Sequence, residues 1–397
     1  MLESDRAPLA GPVERRRWER LRGQYEWVSR VSGWPMIGRL MRRLLNWATH
    51  IAPLHPERDQ SRPSFAAKYF KKQVLRGGLG RDLVDFLESQ GGPLFTSFYA
   101  PAIAADYLGR EDAFCLVTDS DVNRVWAPVD AKATRINYLV PTPRTRRRLM
   151  AYGVPAERIR VTGFPLPDRC VGGPDRAILR GDLARRIRRL DPSCTFRRDH
   201  GRMIEAELGH DLSGTAPPPL LTFAVGGAGA QKEIAAAFLP GLLPQIRAGA
   251  IRLCLIAGIR EEVRRYFMDL LRKVDAESLL GEGIEVFHAP DIVSYFDGFD
   301  ARMRETDILW TKPSELAFYA GLGIPILMAP PVGVHERYNG RWLTEHGAGI
   351  PQHRPKHTEQ WLLNLLADGK LAGAAWSGFT RLPNRGLYAI ADALHAL

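Results

Sequence analysis

The sequence predicts an α/β protein made of two doubly wound, Rossmann-like domains, the first of them incomplete or divergent. Three observations carry this. From Pro93 onward, short apolar runs alternate with helical stretches. The alternation restarts at Leu220, after Pro217-Pro218-Pro219. The first apolar run of the second series leads straight into the glycine-rich turn Gly226-Gly227-Ala228-Gly229. Strands alternating with helices form βαβ units and parallel sheets.

The elements follow in chain order. The first 60 residues are basic and aromatic, and Trp34–Ile51 places Met36, Leu40, Leu44 and Trp47 near one helical face with Arg39, Arg42 and Arg43 largely elsewhere. That is the pattern of a basic amphipathic helix, one that packs on its own domain or lies on an anionic membrane surface. Pro93–Phe98, Ala113–Asp119, Thr134–Pro141 and Arg158–Gly163 read as strands, with a helix over Pro143–Tyr152. Gly163–Pro167 is the expected inter-domain joint. An Arg-rich segment over 168–216, helical across Ala177–Leu190, reads as an insertion. In the second series, strands are expected at Leu220–Gly227, Ile251–Gly258, Ile284–Ala289, Asp307–Lys312 and Ile324–Pro330, with helices at Lys232–Leu243 and Glu261–Val274. The expected division is 1–167, 168–216 and 217–397.

Composition bounds the function. Of 397 residues, 45% are hydrophobic and 25% charged, ordinary for a chain that buries full cores. The net charge is +11, yet only nine of the 55 basic residues are lysine. Basic residues are not interleaved with aromatics in a known nucleic-acid module, so no nucleic-acid partner is expected. No apolar run approaches the ~20 residues of a transmembrane helix, and Met1–Arg22 lacks the apolar stretch of a secretory signal. The expected location is cytoplasmic, peripheral on the inner face of the cell membrane if the basic helix binds lipid. Cys115, Cys170, Cys194 and Cys254 show no metal-ligand spacing. Cys115 and Cys254 lie in apolar runs and are expected to be buried free thiols.

Three turns carry candidate chemistry, each after a strand. Gly226, Gly227, Ala228 and Gly229 would let backbone N–H groups approach a phosphate. Thr311, Lys312, Ser314 and Glu315 flank Pro313 at an expected helix start, where Thr311 could cap and a scarce lysine stands at a strand end. His335, Glu336 and Asn339 follow the Ile324–Pro330 strand, and an acid and an amide three apart share a helix face suited to sugar hydroxyls. Gly258 ends a fourth strand on the same expected edge. Each also has a plainer reading: a tight turn for the glycines, and helix capping for the other two. Carboxyl ends of parallel strands lie along one edge, so all should be neighbours.

Read together, the segment TKPSELAFYAGLGIPILMAPPVGVHERYNGRWLTEHGAG over 311–349 resembles the donor-site region of the GT-B glycosyltransferase group that includes monogalactosyldiacylglycerol synthase and the lipid-II N-acetylglucosaminyltransferase. Val117-Thr118-Asp119, Trp126, Val140-Pro141, Tyr152-Gly153-Val154 and Val161–Pro165 resemble the same group's last N-domain strands. The resemblance covers roughly 93–167 and 220–350. It implies two domains facing a cleft, and inverting, metal-independent transfer of a hexose or N-acetylhexosamine from a UDP-sugar donor to a hydroxyl acceptor such as a lipid, with no cofactor. By position, 226–229 and 311–315 would hold diphosphate and ribose, and His335, Glu336 and Asn339 the sugar. On that basis Glu336→Ala should weaken UDP-sugar more than UDP.

The departures are specific. Nothing before residue 93 matches the group's opening strand and Gly–His loop, and Gly77-Gly78-Leu79-Gly80 follows a basic helical run instead of a buried strand. Ser97-Phe98-Tyr99 stands where a histidine is usual, His335 where glutamine is, and the ribose glutamate expected near Phe318 has only Glu315 nearby. The general base is then sought among Asp119 and Asp121, at a strand end; loop capping is their other reading. A nucleotide-binding regulatory protein without catalysis and a nucleotide-sugar epimerase remain alternatives.

Overall fold

The computed structural model describes residues 14–16, 18–19, 50–225, 229 and 231–395. Gly226, Gly227, Ala228 and most of the expected Trp34–Ile51 helix lie outside them. The chain divides into two compact units. Unit 2 comprises Phe164–Val332 and Glu336–Asp392; unit 1 is the chain up to Gly163, with which Gly333–His335 and the end from Ala393 are grouped.

Unit 1 opens with α1 (Phe65–Gly77) and α2 (Arg81–Gln90), followed by β1 (Leu94–Thr96), α3 (Tyr99–Tyr107), β2 (Ala113–Leu116), β3 (Asn137–Val140), α4 (Pro143–Ala151) and β4 (Ile159–Val161). The four strands are parallel and lie in chain order. That order contains no reversal, so this sheet has no switch-point crevice. Among the described residues no strand precedes Leu94, which leaves β1 an edge strand paired only with β2. The glycine run before α2 is a helix stop. Gly78 takes φ +66° and its N–H returns to Gln73 and Val74 carbonyls, the left-handed ending that glycine favours. A Cβ on Gly80 would come within 2.8 Å of Ala104 Cβ, so the turn between α1 and α2 lies this close to α3 only because residue 80 is glycine. Ile136, Tyr138, Val140 and Leu149 centre the core.

Unit 2 begins with α5 (Asp168–Val171), α6 (Ala177–Leu190) and α7 (Thr195–Leu208). Leu179, Leu183, Ile187, Ile204 and Leu208 are buried in the same core as the strands that follow, so the Arg-rich segment packs into this unit and does not project from it. Then come β5 (Leu220–Ala224), α8 (Glu233–Arg247), β6 (Arg252–Gly258), α9 (Glu261–Lys273), β7 (Ile284–His288), α10 (Ile292–Glu305), β8 (Ile308–Thr311), a 3₁₀ helix (Glu315–Leu322), β9 (Ile326–Met328), α11 (Val334–Glu345), β10 (Gly349–Pro351), α12 (Thr358–Ala367), α13 (Lys370–Arg381) and α14 (Gly386–His395). The sheet runs β10-β9-β8-β5-β6-β7, all parallel. Numbered within the unit this is 3-2-1-4-5-6, the dinucleotide-fold order, and the direction of crossover reverses between β5 and β8. Phe223, Phe238, Phe267 and Trp310 make an edge-to-face and stacked aromatic cluster at its centre.

Cys115, Cys170 and Cys254 are buried free thiols, and Cys194 is exposed. Burial pushes the Cys170 thiol up to about 12 and raises Cys115 and Cys254 as well, since an apolar site disfavours the thiolate. Among the described residues no helix is long and apolar enough to cross a membrane.

Candidate functional site

The loops after β5, β6, β8 and β9 all leave the carboxyl edge of the unit 2 sheet, because every strand in it is parallel. Between β5 and β8 the crossovers diverge, which opens the crevice where such sheets place ligands. Three contacts tie the loops together.

The first is on the glycine loop. Gly229 has φ +71°, and a Cβ there would stand 2.9 Å from Val263 Cγ2 at the start of α9. Only glycine allows this turn to lie so close to the α9 N-terminus. Gly258, with φ +68°, ends β6 at a register shift and accepts a hydrogen bond from the Ala289 N–H at 3.0 Å. The second contact is Gln231 Nε2, which donates to the Pro330 carbonyl at 2.7 Å. It joins the end of the glycine loop to the loop after β9.

The third contact is the Lys312–Glu336 pair. Lys312 Nζ lies 2.5 Å from Glu336 Oε1, with side chains 20% and 3% exposed. The other carboxylate oxygen, Oε2, accepts the Val332 N–H at 2.6 Å. Glu336 therefore reaches back to the chain before its own helix while holding the cation of the β8 turn. Asn339, one turn on, is fully buried, and His335 is half-buried in the first turn of α11.

The β8 turn differs locally from its expected form. Thr311 does not cap the following helix. That helix is a 3₁₀ segment from Glu315, and its N-cap is Ser314, which makes no side-chain cap bond. The Ser314 N–H donates to the Lys312 carbonyl at 2.8 Å across Pro313, which tightens the turn. Thr311 is 1% exposed, and its hydroxyl has no hydrogen-bond partner among the described residues. A buried hydroxyl left in that state costs about 1–3 kcal/mol. Ser314 is buried and Glu315 exposed.

In unit 1 the two candidate acids part company. Asp121 is wholly buried. Its Oδ1 lies 2.7 Å from Arg148 Nε, its Oδ2 lies 2.8 Å from Arg144 Nε, and Arg148 Nη2 adds 3.1 Å. Arg148, equally buried, also donates to Gln60 Oε1 at 2.8 Å. A carboxylate closed off from solvent between two guanidiniums cannot take a proton from an incoming hydroxyl, so the base assignment is withdrawn from Asp121. Its role is to pin α4 and the segment before α1 to the end of β2. Asp119 is half-exposed.

The structure thus brings together Gly229, Gly258, Thr311, Lys312, Ser314 and Glu336 along one edge, with Asn339 buried in the same helix as Glu336. Gln231 and the Lys312–Glu336 link were not foreseen. Nothing in the local pattern joins residues 24 or 99 positions apart, although the scarcity of lysine marked Lys312.

Residues 215–393 match a family model described as a domain of unknown function (DUF6938). No curated protein matches. Among solved structures, the chain is similar to a UDP-GlcNAc 2-epimerase from Neisseria meningitidis bound to UDP-GlcNAc, at 13% identity and TM-score 0.49, over 85% of this chain and 84% of that one. It is similar to the MurG protein of Acinetobacter baumannii at 14% identity and TM-score 0.48, over 82% and 78%. It is similar also to a glycosyltransferase from Rickettsia africae at 10% identity and TM-score 0.43, over 81% of each. At these identities neither ligand nor reaction transfers from those proteins to this one.

Proposed function

We propose that unit 2 binds a UDP-sugar at the carboxyl edge of its sheet, and that the protein transfers the sugar to a hydroxyl acceptor with inversion and without a metal. The observation that carries this reading is the meeting of three loops beside the β5–β8 reversal, knit by Gln231–Pro330 and Lys312–Glu336. Backbone N–H groups of the glycine loop, the Lys312 ammonium and the Thr311 hydroxyl suit a diphosphate. His335 and Asn339 suit sugar hydroxyls. In the transfer step the acceptor oxygen bonds to the anomeric carbon as the bond to the β-phosphate breaks, and UDP leaves with the electron pair. The acceptor proton goes to a general base, for which Asp119 is the remaining acidic candidate in unit 1.

Calorimetric titration with UDP, UDP-hexoses and UDP-N-acetylhexosamines tests the binding step. UDP at about 100 times its dissociation constant should add about 2.7 kcal/mol to the stability of the chain. Failure of every nucleotide to bind or stabilise would end this reading. Proton NMR of the incubated UDP-sugar then separates three outcomes. Release of UDP only with acceptor supports transfer, a second UDP-sugar epimer supports epimerisation, and an unchanged ligand supports a binding protein.

A membrane-bound acceptor is part of the proposal, supported by α1. Phe65, Tyr69, Lys72 and Arg76 fall on one face of that helix, flanked by Lys68 and Leu75. Phe65 is 84% and Tyr69 49% exposed. Three of the nine lysines stand here, and 65–76 contains no acid. Aromatic rings among basic groups fit an anionic lipid interface. Each basic group near such a surface is worth about 1 kcal/mol, so replacing Lys68, Lys72 and Arg76 together by Gln should weaken partition into anionic vesicles about 100-fold. Equal partition of both proteins, or indifference to salt and lipid charge, would remove the membrane from the proposal.

A further inference from the structure

A cavity of about 310 Å³ opens on the outer side of the Lys312–Glu336 pair, toward the β9–β10 edge of the unit 2 sheet. Its walls are apolar and stiff: Pro313 from the β8 turn, Met328 and Pro330 from the end of β9, and Pro351 from β10. Across them stands the α11 face that carries Arg337, Gly340, Arg341 and Thr344. Prolines on three sides leave little to reorder when something enters, and this lowers the cost of binding.

The polar groups facing this space are one-sided. Arg337 is exposed at the mouth and forms no hydrogen bond or ion pair among the described residues. Among the described residues Arg341, one turn on, is engaged only by Glu345, and both are open to water at 67% and 54% exposure, so that pair is weak and exchangeable. Gln352 spends its carbonyl oxygen on Trp310 Nε1 at 2.7 Å, while its side-chain N–H group has no partner among the described residues. The acid lining the cavity is Glu336, and both its oxygens already accept, from Lys312 and from the Val332 N–H. What remains available is a set of donors above an apolar floor.

Size narrows the occupant. A cavity of about 150 Å³ is enough to take a single benzene ring, and 310 Å³ is at the lower limit of small-ligand pockets. A ring with one acidic substituent fits; a UDP-sugar, with three rings and two phosphates, does not. We infer that this cavity is a second ligand site, separate from the nucleotide crevice, for a small aromatic carboxylate whose ring lies on the Pro313–Met328–Pro351 wall and whose carboxylate meets Arg337 and the Gln352 amide. A guanidinium supplies two parallel N–H donors to a carboxylate, a geometry that an ammonium lacks. The inference does not depend on what occupies the crevice between β5 and β8.

Benzoate, acetate and benzyl alcohol, titrated separately into the full-length protein and followed by ligand-observed NMR, form the test. Benzoate should bind saturably and at least tenfold tighter than either acetate (charge alone) or benzyl alcohol (ring alone). Arg337→Gln should weaken benzoate about tenfold, the scale of one lost charge-assisted bond. Thr344→Phe, at an exposed position on the rim, should abolish benzoate binding by filling the mouth. UDP titrations of both variants should match the wild type, which separates this site from the crevice. Benzoate no tighter than acetate or benzyl alcohol, or benzoate binding untouched by both variants, overturns the inference. Loss of UDP binding in wild type with benzoate binding intact would overturn only the nucleotide reading.

Discussion

Lys312→Ala should destabilise unit 2 by about 3 kcal/mol and remove most of its affinity for UDP. The carboxylate of Glu336 is 3% exposed, and taking away its cation leaves a buried charge that has lost its ammonium partner, though it still accepts the Val332 N–H. Breaking one side of a buried pair costs about 3–5 kcal/mol; the partial exposure of Lys312, 20%, puts the expectation at the lower end. The double replacement Lys312→Met with Glu336→Gln removes both charges and should recover much of that loss. In the cycle closed with the single changes Lys312→Met and Glu336→Gln, a coupling energy of about 1.5–3 kcal/mol is expected from chemical denaturation. The same pair changes what Glu336→Ala should do. Read from sequence alone, Glu336 is a sugar ligand whose loss weakens UDP-sugar more than UDP. With one oxygen on Lys312 and the other on the backbone, its removal frees the cation that the proposed function sets against the phosphates, so on that reading UDP and UDP-sugar should weaken together. A coupling below about 0.5 kcal/mol, or a Glu336→Ala protein that binds UDP normally, would show that the pair is incidental.

Asp121→Asn should cost unit 1 about 3–5 kcal/mol of stability, the largest single-residue effect expected there. The substitution keeps the shape but takes the Asp121 charge away from the buried Arg148 and the partly buried Arg144. Arg148 holds Gln60 as well, so the segment ahead of α1 should loosen with it. Hydrogen exchange would localise the damage: protection should fall in α4 and around Gln60. Asp119→Asn, at the half-exposed neighbour, should leave stability within about 0.5 kcal/mol while lowering transfer if Asp119 is the base. An Asp121→Asn protein as stable as wild type would contradict the keystone role, and would reopen the case for Asp121 in chemistry.

The sequence by itself determined the alternation of strands and helices, and with it the α/β class. It located the strand runs closely because parallel strands buried on both faces are near-continuous apolar stretches, as in Leu253–Ala257. It determined that Lys312 was unusual and that the glycine run at 77–80 belonged to a helix end. Only the tertiary structure decided the rest. The strand Gly349–Pro351 has poor strand formers at both ends, and it exists because β9 offers an edge beside it. Helix α8 runs past Pro240 and Pro244 to Arg247, beyond the expected stop near Leu243, because Phe238, Leu242 and Ile246 are buried in the unit 2 core. Asp119 and Asp121 are near-identical in sequence context, and only the fold buries Asp121 between Arg144 and Arg148 while leaving Asp119 half-exposed. The pairing of Lys312 with Glu336 is of the same kind. Periodicity reports which face of an element is apolar, but a contact between two loops depends on strand order, and strand order is a property of the whole sheet.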